Sequence, residues 1–297
     1  MTKKTKRLIF CLFLIVLPVV QFLIFYVAVN INSLRLAFVN IDGQKETFAA
    51  FGNFAKVFKE MATVRNWSKL FPNSVLVWLL GLVTKLPLTI VISFFIYKTV
   101  KIGRAIEVVL FFPSVISVMA TVMLYEYFVS EGFSELLSKI TNKPVSVFFE
   151  EPKSAFISVF MYGFWCGFGT SLLLYVNAMR GISESVVEAA KLDGASEAQE
   201  FLHVTLPMIF PTVKTLLVIG IASIFTNQFN LYEFYGIENA PTDIQTVGYY
   251  LFQQTMVSPR SDYPKLAALG LVISAITIPL TLVVRLVLNK FDLMEEM

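Results

Sequence analysis

The chain has 297 residues, 56% hydrophobic and 15% charged, with a net charge of +3 and a mean hydropathy of +0.71. Ordinary soluble domains carry about 25% charged residues, so this composition belongs to a membrane protein. The small charge surplus implies no nucleic-acid partner. Cys11 and Cys166 both sit in apolar runs and read as small buried hydrophobes, and the single histidine, His203, excludes a histidine-based metal cluster within the chain.

A hydrocarbon core about 30 Å thick needs roughly 20 apolar residues in helix. Six runs reach that length, at about 8–29, 73–97, 105–129, 155–178, 211–232 and 266–288. Backbone groups in lipid must be satisfied internally, which predicts helices throughout: an all-α membrane protein forming one transmembrane domain over 1–297. The first run follows a basic head but is too long for a signal peptide, and no small-residue cleavage site follows it, so it is read as an uncleaved span. That head, with Lys98, Lys101, Arg104, Arg180, Lys191, Arg285 and Lys290 in the turns on the same side, places both termini in the cytoplasm. The long segment 30–72 carries six basic residues on the other side, against the rule. Within it, "FAAFGNFAKVFKEM" (48–61) spaces Phe51, Phe54 and Phe58 for one face of an interfacial helix. Residues 136–152 read as a small external helix and loop.

The most polar helical stretch lies at about 183–210, between spans four and five. Ser185 and Glu188 fit a capping box that starts a helix near Val186, with Val186, Ala189 and Ala190 as its apolar face. Gly194 ends it, because glycine alone enters a left-handed cap without steric cost. Ser196 and Gln199 form a second capping-box pattern, and Pro207 and Pro211 close the second helix before span five. The residues alone leave two readings open: a loop packed beneath its own helices, or a helix that docks in a groove of another protein.

"EAAKLDGA" (188–195), followed by Phe201, Leu206-Pro207 and Pro211, resembles the EAA loop of permease subunits of ABC importers. "FGNFAKVF", the second-span sequence "NSVLVWLLGLVTKLPLTIVISFFI", "FFPSVISVM" and "FNLYEFYG" extend that resemblance over most of the chain, toward the carbohydrate permeases of maltose and glycerol-phosphate type. The chain departs from the pattern at Asn239 and Ala240, where that group has glycines. The resemblance implies a bacterial cytoplasmic-membrane subunit that is not itself an enzyme. Glu188, Ala189, Ala190, Asp193, Gly194 and Ala195 then form a coupling helix and turn against a cytoplasmic ATPase. Implied partners are a second, unlike permease, two ATPase subunits that hold ATP and magnesium, and an extracellular binding protein that delivers a sugar. No Gly-x-x-x-x-Gly-Lys-Ser/Thr loop occurs in the chain, so nucleotide chemistry is assigned to the partner and no cofactor to this subunit.

Polar groups in spans face a cavity or a neighbouring helix. Asn227, Gln228 and Asn230 on span five, with Asn227, Asn230 and Phe234 sharing a helical face, and Tyr162 and Trp165 on span four are candidates for the translocation path. Ordinary interhelical packing is the alternative for each of them. Lys85 lies near the middle of span two, where exposure to lipid costs about 2.5–3.5 kcal/mol. It is expected to pair with Glu126 or Glu233 or to point to water, as structural glue or as part of a gate. A glycerol phosphate is the second choice of cargo. An ion-coupled carrier is the rival class, but it needs several intramembrane acids that the spans do not supply.

Overall fold

The computed structural model describes residues 3–63, 67–142 and 148–291. Among these, five helices are long and apolar enough to cross a bilayer, and a bent helix pair makes a sixth if it is taken as one span. The chain divides into two compact units, one comprising residues 1–64 and 254–275 and the other residues 65–253 and 276–297.

In the first unit, α1 (Lys3–Phe22), a π-helical stretch (Leu23–Ala28) and α2 (Val29–Ala37) form one run, longer than the expected 8–29. Cys11 on it is exposed and Cys166 is half-buried, so neither cysteine is the buried hydrophobe expected. An antiparallel hairpin follows, β1 (Val39–Asp42) and β2 (Lys45–Phe48). It turns through Gly43-Gln44, with glycine at φ +60° in the first loop position that a two-residue hairpin favours. In α3 (Gly52–Thr63) the buried positions are Asn53 and Val57. The Asn53 amide donates to the carbonyls of Ala37 and Val39 at 3.1 and 2.7 Å, locking α3 to the strand entry. Phe51 precedes the helix; Phe51 and Phe58 are exposed, while Phe54, expected on the same face, is half-buried against Phe38 and Phe51.

The second unit holds spans two to five, and the last helix is divided between the two units. α4 (Trp67–Leu80), a π stretch (Gly81–Lys85) and α5 (Leu86–Lys98) run as span two, starting six residues before the expected boundary. Pro87 would press on the carbonyl four residues earlier, and that carbonyl lies inside the widened π turn. Span three is not straight. α6 (Val100–Phe111) passes through one 3₁₀ turn (Phe112–Val115) begun at Pro113, Ile116 extends the backbone, and α7 (Val118–Tyr127) departs at 102°. The Tyr162 hydroxyl meets Thr121 Oγ1 at 2.8 Å, fixing the restart of α7. A π stretch and α8 (Ser134–Thr141) follow; the rest of the expected outer loop lies partly outside the described residues. α9 (Pro152–Arg180) is span four, and a Cβ at its Gly169 would come within 2.5 Å of the Leu110 carbonyl oxygen of α6.

The elbow helix is α10 (Glu184–Leu192). Then α11 (Glu197–Glu200), a π stretch (Phe201–Thr205) and α12 (Leu206–Ala222) form one helix of 26 residues. Pro207 and Pro211 therefore do not close a separate short helix. Pro207, like Pro87, follows a π turn that relieves its clash. Span five ends at Ala222, ten residues earlier than expected, and α13 (Leu231–Tyr235) follows an irregular turn. α14 (Val247–Val257), not anticipated, precedes α15 (Tyr263–Asn289), the last span.

The close approach of α6 and α9 generates a test. Gly169→Ala places a methyl group against backbone, an overpacking expected to cost about 1–3 kcal/mol. Gly270→Ala, with nothing within 4 Å, is the control. Thermal melting in detergent should fall for the first and hold or rise for the second.

Candidate functional site

Two features stand out in the second unit: an elbow at one end of spans four and five, and a cavity between spans two, four and five. The elbow is built by local chemistry. Ser183, not Ser185, occupies the N-cap of α10, and no side-chain bond caps it; Ser183 and Ser185 instead bond each other at 2.8 Å. Val187, not Val186, is the buried residue of the helix, and the helix begins two residues earlier than the Ser185 pattern suggests. At the far end Gly194 takes φ +82°, and the Ala195 N–H reaches the Ala190 carbonyl at 3.0 Å, closing a Schellman-type cap. The second capping box is present as read: Ser196 accepts from the Gln199 N–H, and the Gln199 side chain accepts from the Ser196 N–H.

Burial divides the elbow into an anchored side and a presented side. Val187 and Ile182 join a core with Ile90, Tyr175, Met179, Ile209 and Val213. Glu188, Ala189, Asp193 and Gly194 are exposed, with Ala190 and Ala195 half-buried. Leu192 is 89% exposed, an apolar tip on a capped turn. The elbow is also braced to span two. Lys98 of α5 pairs with Glu200 at 2.5 Å, with side chains 19% and 2% exposed, and the Phe94 and Phe201 rings meet in a tilted contact beside the pair, with centroids 4.9 Å apart. Lys98 also lies 5.4 Å from the Phe94 ring centroid, within cation–π range. Arg180 at the end of α9 holds Glu107 of α6 at 2.8 Å.

The cavity has a volume of about 330 Å³. Span two contributes Ser74, Trp78, Gly81, Lys85 and Thr89, a stripe at spacings of three and four that sequence reasoning identified only at Lys85. Span four contributes Phe160, Gly163, Phe164, Ser171 and Tyr175. The end of span five contributes Gly220, Ser223, Asn227, Phe229 and Asn230. Asn227 and Asn230 do line the cavity, but not as a helical face with Phe234. They lie in the turn 223–230, where Phe229 and Asn230 adopt φ of +58° and +56°. Asn227 Oδ1 accepts from the Phe229 N–H at 2.8 Å, an Asx turn, and the Asn227 carbonyl accepts from Thr246 at 2.7 Å. Phenylalanine is costly in the left-handed region, and the turn is held there by burying Phe229 with Leu231, Val77 and Tyr249. Irregular backbone at membrane depth is tolerated where it lines a cavity or is buried in protein.

Gln228, Tyr162 and Trp165 lie outside the cavity lining. Tyr162 is buried and bonded to Thr121, so it is packing, and Trp165 is exposed beside Tyr125. Lys85 forms no ion pair with Glu126, Glu233 or any other described residue. It lines the cavity instead.

The family model for "Binding-protein-dependent transport system inner membrane component" matches residues 86–293, and the chain belongs to that family. It is 25% identical over 273 residues to the arabinooligosaccharides transport permease AraP of Bacillus subtilis, covering 89% of this chain and 84% of that one. It is 31% identical over 205 residues to the probable ABC transporter permease YesP of the same organism, covering 66% of this chain and 65% of that one. Its fold matches a chain of a bacterial ABC transporter involved in import of the acidic polysaccharide alginate, with a TM-score of 0.78 at 22% identity, covering 97% of this chain and 98% of that one. The protein is thus an integral permease component of a binding-protein-dependent inner-membrane transport system.

The Lys98–Glu200 brace predicts a non-additive cycle. Glu200→Gln alone should cost about 3 kcal/mol, the low end of the range for a broken buried pair, since Lys98 keeps some water. Lys98→Met with Glu200→Met should recover most of that loss in thermal denaturation, because neither charge is then left buried alone.

Proposed function

We propose that this chain is one of two unlike permease subunits of an ATP-driven importer. In this reading it passes a sugar or oligosaccharide, handed over by an extracellular binding protein, through the cavity between spans two, four and five. The observation that carries the coupling half is the elbow, anchored by Val187 and presenting Glu188, Ala189 and Leu192. An apolar tip on a capped turn suits helix-in-groove docking against a partner. In this reading a cytoplasmic ATPase with ATP and magnesium is that partner, and both termini lie in the cytoplasm. Glu188, Ala189, Ala190, Asp193, Gly194 and Ala195 are the docking residues.

The sugar half rests on the chemistry of the cavity wall. Trp78, Phe160, Phe164, Tyr175 and Phe229 offer ring faces, and Ser171, Asn227 and Asn230 offer hydroxyl and amide groups. Rings stack on sugar C–H faces while short polar side chains meet hydroxyls. The transport of arabinooligosaccharides by the AraP system and of alginate by the structural relative supports the same cargo class.

ATPase closure would push α10. The helix from Glu197 to Ala222 would carry that push to the turn 223–230, and the Lys98–Glu200 brace would carry it to span two. Both walls of the cavity would then move together.

Glu188→Lys and Leu192→Asp in the assembled importer test this. Co-purification of the ATPase and sugar uptake should both fall by about tenfold or more, the equivalent of about 1.4 kcal/mol of docking energy. Retained ATPase binding in both variants would contradict the elbow's role. Uptake driven by an ion gradient without the ATPase would favour a secondary carrier.

A further inference from the structure

We infer that the cavity recognises an acidic saccharide, and that Lys85 is the residue that receives its carboxylate. This rests on the sugar-importer reading and narrows its cargo from saccharides in general to those that carry a carboxylate.

Lys85 lines the cavity, and neither Asp nor Glu is among the lining residues. Among the described residues no acid pairs with it. Its ammonium lies against span four at Gly167, where any Cβ would collide with Nζ. Gly163 and Ser171, one turn to either side of Gly167, line the cavity. Glycine at 167 thus leaves room for the lysine head at the cavity wall, and Ala in its place would displace that head.

The remaining polar groups agree with the sign of this charge. Trp78, Ser171, Tyr175 and Asn230 line the same cavity, and their side chains form no hydrogen bond with any described residue. Each of them can donate: an indole N–H, two hydroxyls and an amide. One cation surrounded by donors, with no carboxylate facing it, is complementary to an anion that also carries hydroxyl oxygens. The other groups on the wall are already engaged. Ser74 donates to the Leu70 carbonyl and accepts from the Val247 N–H, Thr89 donates to the Lys85 carbonyl, and Ser223 donates to the Gly220 carbonyl.

Two other occupants fit less well. An acidic side chain of the second permease would satisfy Lys85 but would leave the four other donors unanswered across a cavity of about 330 Å³. That volume falls in the range of roughly 300–1,000 Å³ typical of small-molecule sites. A phosphate ester carries a charge of about −1.5 to −2 at neutral pH, and a single ammonium matches the single charge of a carboxylate more closely.

The test uses the complete importer, with its binding protein, in proteoliposomes. Uptake is measured for a panel of oligosaccharides of matched length that are neutral, uronic-acid-bearing or phosphorylated. Uptake is expected for the uronic-acid-bearing members. Lys85→Met should lower it by about tenfold or more, while Lys85→Arg retains most of it. Gly167→Ala should weaken it in the same direction. The amount of importer assembled around Lys85→Met is measured alongside. If the complex fails to form, Lys85 is an intersubunit brace and the inference is overturned. Uptake restricted to neutral sugars also overturns it, but leaves the sugar reading standing, as does acidic uptake unaffected by Lys85→Met. Lys85-dependent uptake of a carboxylate that is not a saccharide would keep the anion site and remove the sugar reading.

Discussion

The structure depends on one long helix that has different chemistry at its two ends. From Glu197 to Ala222 the chain stays helical through two prolines. It can do so at Pro207 because a π turn opens the backbone where that proline would clash. One end begins at the capped elbow. The other releases into the turn that carries Asn227, Phe229 and Asn230 into the cavity. In the proposed mechanism this helix, with an exposed elbow at one end and a cavity-lining turn at the other, carries the push of the ATPase to the cavity.

Span two gives the rod a second point of leverage. Lys98 and Phe94 near one end of that span grip Glu200 and Phe201 beside the elbow. Further along, the same span presents Ser74, Trp78, Gly81, Lys85 and Thr89 to the cavity. A buried ion pair is poor evidence of net stability, since desolvation offsets much of its attraction. Its value here is register: it ties the elbow to a particular height on span two.

Features written in local chemistry were the most legible in the sequence. Gly194 as a left-handed cap and the Ser196–Gln199 box follow from the properties of single side chains, and both appear as read. The membrane class and most of the spans followed from length and hydropathy. The cavity was legible only in part. Its span-two stripe is present as helical spacing, but four of its five members are small or apolar and do not announce a site. Asn227 and Asn230 were found, yet placed on a helix, because nothing local signals that Phe229 will accept a left-handed backbone; burial against Leu231 and Tyr249 decides it. The bend at Ile116 follows the 3₁₀ turn that holds Pro113, and α10 starts two residues before the Ser185 pattern because Ser183 and Ser185 bond each other rather than cap it. The hairpin at Gly43-Gln44 carried a recognisable turn signal that was passed over in a chain read for helices alone.

The central claim is that the elbow and the cavity move as one device. The most direct measurement is the reactivity of a cysteine at Ser223, in a chain carrying Cys11→Ser and Cys166→Ala, toward a membrane-impermeant thiol reagent in the assembled importer. Trapping the ATPase in its closed, nucleotide-bound state should change that reactivity from one side of the membrane to the other, and Glu188→Lys should abolish the change. Identical labelling in the open and trapped states would contradict the account.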